Sequence, residues 1–473
     1  MSHAIRANRQ QMFLLPPSMD EWLPKDHPAR FVAELVEQLP LVELGFRQSP
    51  GEEGRPHYAT EVVLSVWLFG WMERVRSSRG LEKACRRDMA FIWLTGNLQP
   101  DHNTLWRFFR SNKAALKKLF KRVVQIAAKA GLVGFALHAL DGTKMKAVSS
   151  MESTTHRKQL MEKLKELDAI VERGVDEIER AEQASEPSWQ MPETLKDPKA
   201  RREAIAKALA TLDEADTDHL HEKEADARMM KLRGGGIGLG YNAQAVVDHR
   251  SDLVVGIDVV NDATDHAQLT PMLLDLQDTC GRVADETVAD AGYASGEQFE
   301  LAERKHLPVL VNVQEESSMK GPFAKSNFTY DRERDVYICP RGEVLELEGL
   351  HKASGGKAAR KVYRCHKTDC PVRAQCTEDK KGRTIKRQLT EEAFDRQVEK
   401  QSSSEMVDLL RTRKQIVEHI FGIVKTIDGF ARFTARGLEA ARAQWALACT
   451  ALNLRKLLAA WRAGTLVLAP AKV

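Results

Sequence analysis

The chain has 473 residues, 43% of them hydrophobic and 29% charged, with a formal net charge of only +4. That length gives room for two or three domains, and that balance is typical of a soluble globular protein. No apolar run approaches the roughly 18 residues needed to span a bilayer, and the first twenty residues lack the apolar core of a signal peptide. Neither a membrane span nor secretion is therefore expected, and the expected compartment is the cytosol, where structural disulfides are rare. The charge is unevenly spread. His102 to Leu140 holds eight Lys or Arg and no acid, and Lys352 to Arg387 holds twelve against three acids. Such local basic blocks point to a polyanionic partner met by particular surfaces.

Residues 1 to about 135 read as helical. Leu14 to Pro17 forms an extended entry. Asp26 is the expected N-cap of a helix from Ala29 to Leu39, with Pro28 in its first turn. Ala59 to Val75, rich in Trp and Phe, reads as a core helix. Ser77 or Ser78 caps a helix through Leu81 and Cys85 to Met89, and Asp101 or Asn103 caps Thr104 to Ser111. A helix, a break and a second helix bearing Arg107 and Arg110 make a candidate DNA-reading unit, although many helical domains contain such a pair. From Lys113 to Ala130, Leu116, Phe120, Val123 and Ala127 make an apolar stripe. Lys113, Lys117 and Lys121 make a basic one with no acid, which favours phosphate contact over a merely solvated face.

Phe135 to Val148 runs apolar up to Leu140, then reads Asp141, Gly142, Thr143 and Lys144. Asp-Gly is a common tight turn. The other reading is a buried strand that delivers one carboxylate to a basic surface. Next, Leu160, Leu164, Leu167, Val171, Gly174 and Ile178 precede a loop with Pro187 and Pro192, then Ile205, Leu209 and Leu212. This reads as a charged helical hairpin insertion, a packing or dimer arm. His221-Glu222 lacks the second His of a zinc protease motif, because position 225 is Ala. Arg233 to Gly240 fits no nucleotide-loop register and reads as flexible re-entry into the core.

From Gly240 the period becomes that of strands. Tyr241 to Val247 and Leu253 to Val260 form a hairpin. Asp265 is the expected cap of a helix from His266 to Thr279. Glu286 to Gly292 contains a short strand ending at Asp290, Ser295 caps a helix to Lys305, and Leu307 to Val313 is a fifth strand. This order predicts an α/β mixed sheet with helices on its faces. Cys339, Cys365, Cys370 and Cys376 follow among basic residues. Four thiolates can hold a structural Zn²⁺, with His351 or His366 able to replace one; four free thiols in a small β-rich insertion is the other reading. Cys85, Cys280 and Cys449 read as plain core residues. Ser404 to Ile427 reads as a helix with Ile416, Ile420, Ile423 and Ile427 on its core stripe. Glu418 lies off that stripe, flanked by Lys414, Gly422 and Lys425. It is either half of an exposed ion pair or an acid with room made beside it by Gly422. A last helix, Leu438 to Trp461, is expected to cover the sheet.

Asp141 on the first strand and Asp290 at the end of the fourth can meet at one sheet edge, with Glu418 brought across them by the late helix. Three hard oxygen ligands suit Mg²⁺ or Mn²⁺, and two such ions activate a water or 3′-hydroxyl at a phosphodiester.

DGTKMKA at Asp141, GYNAQAVVD from Gly240, ADAGY around Asp290, VEHIFGIVK with Glu418 and Lys425, and RFTARG from Arg432 together resemble a family. So do SSRGLEKACRRD, PDHNTLWRFFR and YICPRGEVL. The chain resembles bacterial DDE-type insertion-sequence transposases, specifically the IS1182-like group within the IS5/IS4 set. The resemblance implies an RNase H-like catalytic core at 135–150, 236–314 and 402–463. A helical DNA-binding domain at 1–134 precedes it, and a helical hairpin at 151–235 and a Cys-rich basic segment at 315–401 are inserted. It also implies Asp141, Asp290 and Glu418 as the metal-binding triad, Lys425 as a contact to the element end, and Arg436 as a further DNA contact. The related pattern of Tyr, Arg and Glu reads Arg411, Lys414 and Glu418 here, with the basic position kept and the aromatic absent. The implied activity is cleavage at terminal inverted repeats and strand transfer into target DNA at the bacterial nucleoid, with two protomers pairing two ends. A non-catalytic DNA-binding regulator descended from a transposase is the alternative.

Overall fold

A computed structural model of the chain describes residues 18–47, 57–150, 154–183, 193–214, 219–221, 224–232, 235–313, 321–352 and 359–468. The expected entry at residues 14–17 and the loop with Pro187 and Pro192 lie outside these, as do residues 222–223 and 233–234. In chain order, α1 (Pro28–Glu37), α2 (Thr60–Met72), α3 (Ser78–Arg87), α4 (Met89–Leu94), α5 (His102–Ser111) and α6 (Lys113–Lys129) come first. Then come β1 (Leu137–Lys146), β2 (Thr154–His156), α7 (Arg157–Gln183), α8 (Glu193–Glu214), β3 (His219–His221) and β4 (Arg228–Lys231). These lead to β5 (Ile237–Asp248), β6 (Val254–Val260), α9 (Leu269–Cys280), β7 (Glu286–Ala289), α10 (Gly296–Arg304) and β8 (Val309–Val311). Next are β9 (Thr329–Asp331), β10 (Val336–Ile338), β11 (Val344–His351), β12 (Arg360–Arg364), α11 (Arg373–Cys376) and β13 (Thr384–Gln388). The chain closes with α12 (Glu391–Gln401), α13 (Ser404–Gly422) and α14 (Leu438–Arg462). Two compact units result. One holds Met1–Leu132, Met145–Tyr241 and Val424–Val473, and the other holds Val133–Lys144 and Asn242–Ile423.

The first unit packs amphipathic helices around α2, which has no polar face. In α2 nearly every residue is buried, and the Trp67 indole N–H donates to the Leu105 carbonyl at 3.2 Å. Its helix starts follow local chemistry: the Ser77 side chain accepts from Gly80 N–H, and that of Asp101 accepts from Thr104 N–H. At α1 the cap is His27, whose Nδ1 accepts from Ala29 N–H, and not Asp26; Pro28 at the first helical position has no N–H to satisfy, and the residue just before it takes the capping role. Helix α14, expected on the sheet, packs instead on α6 and α2 in this unit. Its middle, Ala443 to Leu454, is buried on every side, so no stripe names its partner. Helices α7 and α8 form the expected hairpin, with ion pairs Arg157–Asp213 and Arg202–Asp168 between them and β2 paired to β3 at its base. Of the stretch expected as flexible re-entry, Ile237 to Gly240 is strand and pairs with β4. A Cβ at Gly240 would lie 2.6 Å from the Met145 carbonyl oxygen, so this crossing admits only glycine.

The second unit is a mixed sheet in the order β6, β5, β1, β7, β8. β5 and β6 form an antiparallel hairpin. β1 pairs β7 in parallel, Leu137 with Glu286 through Leu140 with Ala289, and β7 pairs β8 in parallel. The first and fourth strands of the expected five are thus neighbours. Helix α9 packs on β6, and α13 lies on β7 and β8. A small antiparallel sheet, β13-β12-β11-β10-β9, encloses its own core of Phe323, Phe328, Tyr337, Leu345, Tyr363 and Ile385.

Candidate active site

Asp141 lies within continuous β1, so Asp-Gly is here a strand and not a turn. The parallel register explains its neighbour. Leu140 faces Ala289, and the residue that follows each is an aspartate, Asp141 and Asp290. Adjacent strands lie about 4.8 Å apart, so two carboxylates arrive at one end of the sheet. Burial pushes the Asp141 carboxyl up to about 6; Arg413 opposes this, and the Asp290 charge adds to it. Arg413 Nη1 donates to Asp141 Oδ2 at 2.8 Å, with the arginine side chain 9% exposed. Asp290 directly follows β7 and accepts from Gly292 N–H at 2.9 Å, capping the turn Ala291–Tyr293.

A third acid joins them. Asp265 was the expected cap of α9, but α9 begins at Leu269 and receives no side-chain cap bond. Asp265 Oδ1 instead accepts from Asn242 Nδ2 at 2.6 Å and Gln244 Nε2 at 2.7 Å, and its Oδ2 lies 3.2 Å from Lys144 Nζ. Gln244 Oε1 in turn accepts from the buried Tyr293 hydroxyl. Burial, then the charges of Asp265, Asp141 and Asp290, hold that hydroxyl in its protonated form. Gly142 sits inside this network: a Cβ there would be 2.5 Å from both Asp265 Oδ1 and Gln244 Nε2. The signal for Asp265 was available on β5. Asn242 and Gln244, two apart on an otherwise buried strand, are fully buried amides that require polar partners.

Glu418 is placed differently. It is exposed on α13, and its carboxylate has no hydrogen bond or ion pair among the described residues. Arg413 and Glu418 are five residues apart on one helix, hence ~140° apart around it and ~7.5 Å along it. With Arg413 turned to Asp141, Glu418 faces another way. The structure brings Asp141 and Asp290 together and leaves Glu418 apart. Among the described residues no group of three or more His, Cys, Asp or Glu is gathered closely enough to hold a metal ion. The donor chemistry nevertheless suits a hard cation: the acids carry only oxygen, and buried Asn242 Oδ1 lacks a hydrogen-bond donor among the described residues. Arg413 was missed because it falls on the buried face of α13 with Ile416, Val417 and Ile420; a cation there needs an acid partner.

Of the basic residues, Arg110, Lys113 and Arg436 line one cavity of the first unit. Arg107 is exposed on α5, and Lys414 is exposed on α13. Lys117, Lys121 and Lys425 are half-buried, each with an interaction of its own. Lys425 lies in Ile423–Ile427, a π-helical turn that continues α13, and such turns recur at functional sites. In the small sheet, Cys339, Cys365 and Cys376 pack against the aromatic core. Burial raises the Cys376 thiol, Arg383 opposes this, and Cys339, Cys365 and Cys370 add to it. Cys339 Sγ accepts from Arg341 N–H at 3.4 Å.

Two family models match the chain. The Transposase DDE domain matches residues 338–458, and the Transposase domain (DUF772) matches residues 17–111. The two matches support a DDE transposase. Glu418, Lys425, Arg436 and the four clustered cysteines fall in the first match, and Arg107 and Arg110 in the second. The search of curated proteins and the search of solved structures each found no match. Among the described residues no helix is long and apolar enough to cross a membrane.

Proposed function

We propose that the chain is a transposase of the IS1182-like group that binds the terminal inverted repeats of its own element, cuts there, and joins the freed 3′ end to target DNA. The single observation that carries this is the β1–β7 register, which sets Asp141 beside Asp290. In this reading the mixed sheet is an RNase H-like core, and Asp141, Asp290 and Glu418 are the residues that would hold Mg²⁺ or Mn²⁺. A bound divalent ion supplies activation of a water or 3′-hydroxyl and stabilises the leaving oxygen. Asp265 fixes Asn242 and Gln244, and through Gln244 and Tyr293 it braces the turn that carries Asp290. Arg413 neutralises Asp141 in the structure as it stands, and Glu418, which faces another way, would join the set only through a change at α13. Arg107, Arg110, Lys113, Lys117, Lys121, Lys414, Lys425 and Arg436 hold the DNA backbone. Two protomers pair the two ends at the nucleoid. Cys339, Cys365, Cys370 and Cys376 would be the ligands of a structural Zn²⁺ or else four free thiols, and zinc content after refolding with the metal tells the two apart.

The test is strand cutting by the full chain on duplexes with and without the inverted repeat, in Mg²⁺ and in chelator. Cutting confined to repeat ends and abolished by chelator is expected. Cutting of any duplex would indicate a plain nuclease. Binding without cutting would indicate a DNA-binding regulator, the reading favoured by the exposed, unpartnered position of Glu418.

A further inference from the structure

A cavity of about 360 Å³ in the first unit is lined by Trp106, Phe109 and Arg110 of α5, Lys113 of α6, and Thr434 and Arg436 of the segment leading into α14. Its volume lies at the small end of ligand sites, about 300–1,000 Å³. Arg110, Lys113 and Arg436 have no hydrogen bond or ion pair among the described residues. Three cations bordering one hollow repel one another and attract an anion. A phosphate alone would leave the other wall unexplained. Trp106 is 41% exposed, and its ring stacks on buried Phe109 at 5.6 Å between centroids and 23° between planes. That anchored aromatic plane offers a face to a flat apolar group. Another lining residue is fixed in advance: buried Gln444 accepts from Thr434 N–H at 2.9 Å and donates to Thr434 Oγ1.

In a paired duplex the base faces are covered by their neighbours, and only phosphates and base edges are offered. An unpaired nucleotide offers both a phosphate and an uncovered face. We infer that this cavity takes one unpaired nucleotide of a DNA strand, its base on Trp106 and its phosphate among Arg110, Lys113 and Arg436. The inference rests on the DNA-binding reading above and narrows it to frayed or single-stranded ends.

The experiment uses the full chain with two probes, a blunt repeat-end duplex and the same duplex carrying a three-nucleotide overhang with 2-aminopurine in it. Wild type should bind the overhang more tightly and quench the 2-aminopurine. Trp106→Ala should weaken overhang binding about tenfold and leave blunt-duplex binding within about twofold. Trp106→Phe, which keeps a ring, should recover most of the loss and controls for folding. Equal binding of the two probes, unchanged 2-aminopurine emission, or an equal loss on both probes in Trp106→Ala would overturn the inference while leaving DNA binding in place. Failure of wild type to bind either probe would defeat the DNA-binding reading itself.

Discussion

The two charged regions of this protein are built on opposite rules. Around Asp141 every charge is answered from within: Arg413 for Asp141, backbone N–H for Asp290, Lys144 and two amides for Asp265. Around the cavity of the first unit, Arg110, Lys113 and Arg436 are answered by nothing among the described residues. Internally balanced charge holds a geometry, whereas unbalanced charge on a surface holds a place for a ligand. The two should therefore respond differently to the same kind of substitution.

The largest effect is expected where a balanced pair is broken. Arg413→Ala leaves Asp141 half-buried without its cation and should cost about 3 kcal/mol or more in urea unfolding. The double variant Arg413→Met with Asp141→Asn should recover part of it; no recovery would mean that the pair is not the source of the loss. Gly142→Ala comes next. Its new methyl meets Asp265 Oδ1 and Gln244 Nε2, and about 1–3 kcal/mol is expected from overpacking. A neutral outcome would show that the network can open there. Asp248 sharpens the contrast with acid. Burial would raise its carboxyl, but nearby His138, the Ser251 hydroxyl and the N–H groups of Ser251 and Gly134 hold it at about 2, below an ordinary 3.8. A depressed folded value stabilises above the unfolded one, so this contribution is present above about pH 4 and is lost as pH falls towards 2. Asp248→Asn should therefore flatten stability against pH in that window, and an unchanged slope would sink the assignment. The smallest effect belongs to the open cations: Arg110→Ala should move stability by less than about 0.5 kcal/mol, since no internal partner is lost.

Much of the fold could be read from local chemistry. Ser77 and Asp101 announce their helices, the α6 stripe sits where its spacing puts it, and two apolar runs each end in an aspartate. Adjacency of β1 and β7 followed from the strand order. What escaped depended on partners distant in the chain. Asp265 looks like a helix cap from its neighbours alone, and only the buried amides of Asn242 and Gln244, more than twenty residues earlier, redirect it. Arg413 reads as one more surface cation until the face it shares with Ile416 and Ile420 is drawn. Helix α14 could not be assigned to the helical unit, because its burial is nearly uniform around the axis. Gly142 looked like a turn residue, and its reason is a close approach of side chains from β5 and Asp265.

The most direct test of the central claim measures cutting and binding in the same samples, on repeat-end duplex with Mg²⁺, for wild type and for Asp141→Ala, Asp290→Ala and Glu418→Ala. The account predicts that each variant binds near the wild-type level and cuts more than about 100-fold more slowly, beyond what loss of an outer-shell group costs a metal site. Wild-type cutting by Asp141→Ala or Asp290→Ala would contradict it outright, and wild-type cutting by Glu418→Ala alone would remove that residue from the site.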